Sequence, residues 1–161
     1  MGELTPYALG GDDGEALWFF GTLAIIKASA EQTGGRFSLV EQLARKGMAT
    51  PLHVQPEDDE SFYVLEGELT FYLEGGEPIA ASAGSFVHVP AGAPHAFQVD
   101  SETARLLDLT TPQHEGFMRA AGEPARERVL PPESPPDMEK VGAAAKEYGV
   151  EILGPPPGAR S

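Results

Sequence analysis

The chain has 161 residues, 41% of them apolar, which suits a single domain with one substantial core. Eleven basic residues against 25 acidic ones leave a net charge of -14, so phosphate backbones and anionic lipid surfaces are repelled, and neither nucleic acid nor membrane is an expected partner. There is no cysteine, which excludes disulfides and thiolate ligation and leaves only nitrogen and oxygen donors for any metal.

Gly10-Gly11-Asp12-Asp13-Gly14 reads as a loop before the first apolar run. The longest apolar stretches, around Ala16 to Phe20 and Leu23 to Ile26, are strand length, well short of the roughly 18 residues of a membrane span. The N-terminus also lacks the basic-then-apolar layout of a signal peptide, so a cytoplasmic location is expected. Thr22 to Ala28 reads as a strand, Glu31 to Gly35 as a loop, and Phe37 to Gln42 as the next strand. Phe62 to Leu65, a turn at Glu66-Gly67-Glu68, and Leu69 to Leu73 with alternate residues on one face carry the signature of a hairpin. Gly75-Gly76-Glu77-Pro78 breaks the chain before Ile79 to Ala81, and Ser85 to Val89, His95 to Val99 and Arg105 to Leu109 follow as short strands. Such spacing predicts an antiparallel sandwich or barrel.

Beyond Thr111-Pro112, residues Gln113 to Ala121 predict a short helix that ends at Gly122, with Phe117 and Ala121 on one side. Pro131 to Pro136 is an extended connector. Asp137 then caps a second helix, in which Met138, Val141, Ala145 and Tyr148 follow at helical spacing up to Gly149. The expected division is a barrel over residues 1–130, with a connector and a helix packed on it over 131–161, ending in a frayed tail from Pro155.

Two segments carry the chemistry. In a strand, His53 and Gln55 share one face; Glu60 follows the polar bend Pro56-Glu57-Asp58-Asp59, and a reversal there brings its carboxylate back beside them. His95 follows the turn Pro90-Ala91-Gly92 and is expected from the opposite side. Two imidazoles and a carboxylate suit non-haem Fe(II) and tolerate Mn, Ni, Co, Cu or Zn. Gln55 either ligates through its carbonyl, orients a water or bonds a neighbour. Phe62 and Phe97, two residues beyond Glu60 and His95, form an apolar wall of a substrate pocket or simply fill the core. His88 reads as a surface histidine, His114 as a solvated helix start, and Glu57-Asp58-Asp59 as a solvated bend at the loop rim.

Gly47, five residues, His53-Val54-Gln55, four residues, Glu60, six residues, Gly67 resembles the first cupin motif, and Gly84, five residues, Pro90-Ala91-Gly92, two residues, His95 resembles the second. Gln55 stands where the family pattern has a histidine, and Val99 where it has an asparagine. The resemblance implies an all-β fold, a cupin jelly-roll β-barrel with short C-terminal helices, commonly a homodimer. It also implies one divalent transition metal held by His53, Gln55, Glu60 and His95. The phrase from Glu60 to Leu69 and the helical tail are most similar to single-domain quercetin 2,3-dioxygenase-like cupins. That likeness implies oxidative ring cleavage of a polyphenolic small molecule by dioxygen, with Glu60 as catalytic base as well as ligand. Polyketide cyclase or isomerase chemistry, and a non-catalytic small-molecule-binding cupin, are the alternatives.

Overall fold

The computed structural model describes residues 3–159. In chain order they form β1 (Glu15–Phe19), β2 (Thr22–Ala28), β3 (Ser38–Arg45), β4 (Leu52–Val54), β5 (Glu60–Glu66), β6 (Glu68–Leu73), β7 (Ile79–Ser82), β8 (Phe86–Val89), β9 (His95–Val99), β10 (Thr103–Thr110), α1 (Pro112–Ala121), β11 (Glu123–Pro124), α2 (Met138–Tyr148) and β12 (Glu151–Gly154). Two antiparallel sheets result. The larger has the order β11-β1-β2-β3-β10-β5-β8, the smaller β12-β4-β9-β6-β7. This is the all-β jelly roll expected from the sequence. No helix among the described residues is long and apolar enough to cross a membrane.

Strand alternation decides what points inward. On β5 the buried set is Glu60, Phe62 and Val64; on β10 it is Ala104, Leu106, Asp108 and Thr110. Glu60 and Asp108 are thus buried because they share a face with core residues. Phe62, Phe71 and Phe97 form a triangle between the sheets, with ring centroids 5.3 to 5.5 Å apart. Each buried ring contributes about 1.5–3 kcal/mol of transfer free energy.

The expected hairpin from Phe62 to Leu73 does not form. β5 pairs with β10 and β8, whereas β6 pairs with β9 and β7, so the chain changes sheet at Gly67. The reason is local. Gly67 has φ of 88°, and a Cβ there would lie 2.5 Å from the Thr103 carbonyl oxygen and 2.8 Å from Ala104 Cα. The residue turns a corner against the neighbouring strand, while Phe62, Val64, Leu69 and Phe71 on either side all face the same core.

Thr111 caps α1, its hydroxyl accepting from the His114 amide, and Pro112 occupies the first turn, where a missing N–H costs nothing. Asp137 caps α2 in the same way, and Gly149 closes it in the left-handed conformation. The helices pack on one another through Phe117, Val141, Ala144 and Ala145, with Val150 and Phe19 beside them. Residues 130–137 have no regular structure, as expected of the proline-rich connector. After α2 the chain returns as β12 on the edge of the smaller sheet, placing Ile152 opposite His53. The tail expected to fray is instead set in a 3₁₀ turn over Pro157–Ala159, with Gly158 against the Gln98 side chain. Residues 160 and 161 lie outside the described residues.

α1 is fastened to the larger sheet through Glu115. Its Oε1 accepts from the Ala30 amide at 2.8 Å and the Ser38 hydroxyl at 2.6 Å, and its Oε2 from Arg119 Nε at 2.9 Å. Burial alone would raise this carboxyl, but those donors outweigh it and hold it below its usual 4.5.

Two outcomes follow. Gly67→Ala should lower the unfolding free energy by about 2–3 kcal/mol in urea titration, from φ strain plus the backbone clash. Glu115→Ala should cost about 2–3 kcal/mol at neutral pH, since it leaves buried donors unpaired. Because the folded-state value is depressed, the stabilisation is fully present above the unfolded value of 4.5 and is lost as pH falls through the folded one. The gap between wild type and Glu115→Ala should therefore be constant from neutral pH down to about 5 and narrow below 4.5.

Candidate metal centre

His53 on β4 and His95 on β9 are directly opposed cross-strand neighbours, with ring centroids 4.3 Å apart. His95 therefore does not come from the opposite side; it is Glu60, on the larger sheet, that does. The error arises because cross-strand pairing of β4 with β9 is invisible in either segment alone. Both histidines are oriented by a carbonyl two residues upstream: His53 Nδ1 lies 2.8 Å from the Pro51 oxygen and His95 Nδ1 3.0 Å from the Ala93 oxygen. A neutral ring so placed donates from Nδ1 and has its lone pair on Nε2. Burial, and then repulsion from the His95 ring, lower His53 to about 4, so it is neutral at pH 7.

Glu60 sits at the convergence. Its Oε1 lies 3.2 Å from His95 Nε2 and its Oε2 3.2 Å from His114 Nε2, with all three side chains buried. Burial would raise Glu60, yet electrostatic attraction to His114 and hydrogen bonding with His114, His95 and Asp108 outweigh it and hold the carboxyl well below its ordinary range. Asp108 moves the other way. Burial first, and then the Glu60 charge and the hydrogen bond to it, push Asp108 well above its ordinary range. The two carboxyls are thus shifted in opposite directions, Glu60 toward the ionised form and Asp108 toward the protonated one.

His114 is not the solvated helix start expected of it. It is 5% exposed, stacks on Phe117 at 5.4 Å, and places Nδ1 3.2 Å from Gln55 Nε2. A signal was present in the sequence, since His114 stands three and four residues before the buried Phe117 and Met118 on one helical stripe. Nor is the acidic bend simply solvated. Asp58 is buried and accepts from the Thr111 hydroxyl at 2.6 Å, and Asp59 Oδ1 accepts from the Ala91 amide at 2.8 Å. The bend ties the turn before His95 to the cap of α1. His88 is exposed, with Nδ1 2.8 Å from the Ser61 hydroxyl, in keeping with a surface role.

A cavity of about 60 Å³ opens beside these groups, lined by His53, Glu60, Phe97, Phe117, Met118 and Ile152 among others. Phe97 stands at its wall; Phe62 does not and lies beneath in the aromatic triangle. The alternation that turns Phe62 inward sends it toward Phe71 and Phe97, deeper than the carboxylate two residues earlier.

A family profile for the cupin domain matches residues 39–110. Quercetin 2,3-dioxygenase of Bacillus subtilis (strain 168) is 33% identical over 127 residues, covering 78% of this chain and 37% of that protein. Residues 39–110 form a cupin domain. An uncharacterized protein of Aquifex aeolicus (strain VF5) is 36% identical to this cupin over 64 residues, 40% of this chain and 52% of that one. The chain therefore spans about half of one curated relative and little more than a third of the other. Among solved structures, the polyketide cyclase RemF from Streptomyces resistomycificus superposes with a TM-score of 0.59 at 21% identity, over 87% of this cupin and 99% of that chain, a likeness of fold.

The donor set of this cupin fits a divalent ion. One ligand atom each from His53, Glu60 and His95 lies within 4.8 Å of the others, and the same holds for Glu60, Asp108 and His114. His95 Nε2 faces a carboxylate oxygen at 3.2 Å, a contact that a shared proton or a shared cation makes favourable. Gln55 Oε1 and Asp108 Oδ1 are buried with no hydrogen-bond partner among the described residues.

Removing the tie between bend and helix should loosen the second half of this arrangement. Asp58→Ala is expected to cost about 1–3 kcal/mol and to accelerate amide exchange in the first turn of α1, leaving the protection of β9 and β10 unchanged. Hydrogen exchange read by mass spectrometry checks it.

Proposed function

We propose that this cupin is a metal-dependent enzyme acting on a small aromatic or polyphenolic molecule, most concretely by quercetin 2,3-dioxygenase-like oxidative ring cleavage. The observation that carries the reading is a buried carboxyl, Glu60, set among imidazoles and open to an apolar cavity. The relative from Bacillus subtilis, which bears that activity in its name, lends it support. His53, Glu60 and His95 would hold one divalent transition metal. When bound, such an ion supplies Lewis acidity and, for Fe, Mn, Co, Ni or Cu, redox capacity toward dioxygen.

The residues of the chain do the rest. Phe97, Phe117, Met118 and Ile152 offer an apolar, water-poor surface to an aromatic ring. Glu60 is the catalytic group, receiving the proton of the substrate hydroxyl at a carboxylate oxygen; it lines the cavity beside His53 and, of the two buried carboxyls, is the one shifted toward the ionised form. A cavity of about 60 Å³ has room for a few waters, whereas a ligand of flavonol size fills several hundred Å³. A polyphenol therefore enters only with the side chains of α1, α2 and β12 displaced, and single-ring phenols fit with less movement. The homodimer that the resemblance implies belongs to the same reading, with Tyr63, Phe86 and Leu109 exposed on the outer face of the larger sheet.

Protein purified without added metal should contain about one transition metal per chain by elemental analysis, and His95→Ala less than about a tenth of that. Removing the metal with a chelator should lower the melting temperature, and restoring it should raise it. Reconstituted enzyme offered a panel from catechols to flavonols should consume dioxygen. No uptake with any metal overturns ring cleavage, and no bound metal overturns the whole reading.

A further inference from the structure

We propose that His114, delivered by α1 from outside both cupin motifs, is a further metal donor of this site, and that Gln55 is its positioning residue, selecting which ring nitrogen carries the proton. The proposal rests on the metal-binding reading above and deepens it.

Three imidazoles lie around Glu60, His53 and His95 in one donor group with it and His114 in a second that it shares with Asp108, and each has Nδ1 against a partner. For His53 and His95 the partner is a backbone carbonyl, which accepts only, so Nδ1 is the donor and Nε2 is the atom left to face the site. For His114 the partner is the Gln55 side-chain amide, 3.2 Å away, which can present either its NH₂ or its oxygen by turning about its last bond. In the arrangement described, the NH₂ faces Nδ1. With that NH₂ on Nδ1, a ring proton can sit only on Nε2, which lies 3.2 Å from Glu60 Oε2, while Gln55 Oε1 is buried without a partner among the described residues. This is a self-consistent metal-free network with one orphaned atom.

Turning the amide places that oxygen on Nδ1. The proton then belongs on Nδ1, donating to Gln55, and the Nε2 lone pair is released toward the carboxylate. Two acceptors would now face one another across 3.2 Å, an arrangement that a cation shared with Glu60 stabilises. No net proton is gained or lost; one moves from Nε2 to Nδ1 through exchange with solvent.

The position of Gln55 in the first motif then has a chemical meaning. Where the family pattern supplies an imidazole from the strand, this chain supplies one from the helix and keeps an amide behind it. Asp58 and the Thr111 hydroxyl fix the first turn of α1, and Phe117 stacks on the ring, so His114 is held in place before any metal arrives.

The test uses the full chain and Zn²⁺ as the probe. X-ray absorption of the zinc-loaded wild type should count three imidazoles, and ¹⁵N NMR should find His114 protonated at Nε2 without metal and at Nδ1 with it. In competition with a chromophoric chelator, His114→Ala should bind zinc at least about 100-fold more weakly and Gln55→Leu about 10- to 100-fold more weakly, with His88→Ala unchanged. Wild type that binds zinc with only two imidazoles, or His114→Ala with wild-type affinity, overturns the inference while leaving the metal reading intact. Wild type that binds no zinc overturns both. The absorption and NMR measurements need no variant, so an unfolded His114→Ala does not shield the proposal.

Discussion

Glu60 places a negative charge where both sheets and the first helix meet, and a charge buried to that degree has to be matched from every side. His95 answers from the smaller sheet, Asp108 from the neighbouring strand of the larger one, and His114 from α1. Removing any of them leaves the carboxylate short of a partner in a medium where water cannot substitute. The site is thus also a structural joint. The same compensation that keeps the fold together favours the ionised form of Glu60, which is the form a proton acceptor needs.

The apolar surroundings strengthen these interactions. The aromatic triangle of Phe62, Phe71 and Phe97 closes the floor, and the α1–α2 pair with β12 closes much of the mouth, so the polar cluster works at low effective dielectric. The same enclosure limits what can enter. In this cupin, then, the C-terminal third is part of the site: α1 contributes an imidazole, α2 buttresses α1, and β12 lines the cavity beside His53 with Ile152.

Much of the architecture was legible from periodicity and punctuation. β2, β9 and both helices stand almost where alternation, capping residues and Gly or Pro stops put them, because those signals are local. The hairpin at Glu66-Gly67-Glu68 misled for a physical reason: a tight turn and a corner between sheets both call for glycine at positive φ, and only strand pairing tells them apart. Asp58 looked solvated because an acidic run ordinarily is; its burial depends on Thr111, 53 residues away. Asp108 was legible in principle, as the one carboxyl in a strand otherwise turning Ala104 and Leu106 inward.

The sequence by itself determined which donors exist and which belong together: spacing within each motif singled out His53, Glu60 and His95, and the absence of cysteine restricted any metal to nitrogen and oxygen. What only the tertiary structure decided is how those donors are completed. Spacing encodes the face of a strand on which a side chain lies. It does not encode which distant helix is laid across the mouth, and that packing is what buries His114, pairs it with Gln55 and Glu60, and helps to shift the two neighbouring carboxyls in opposite directions.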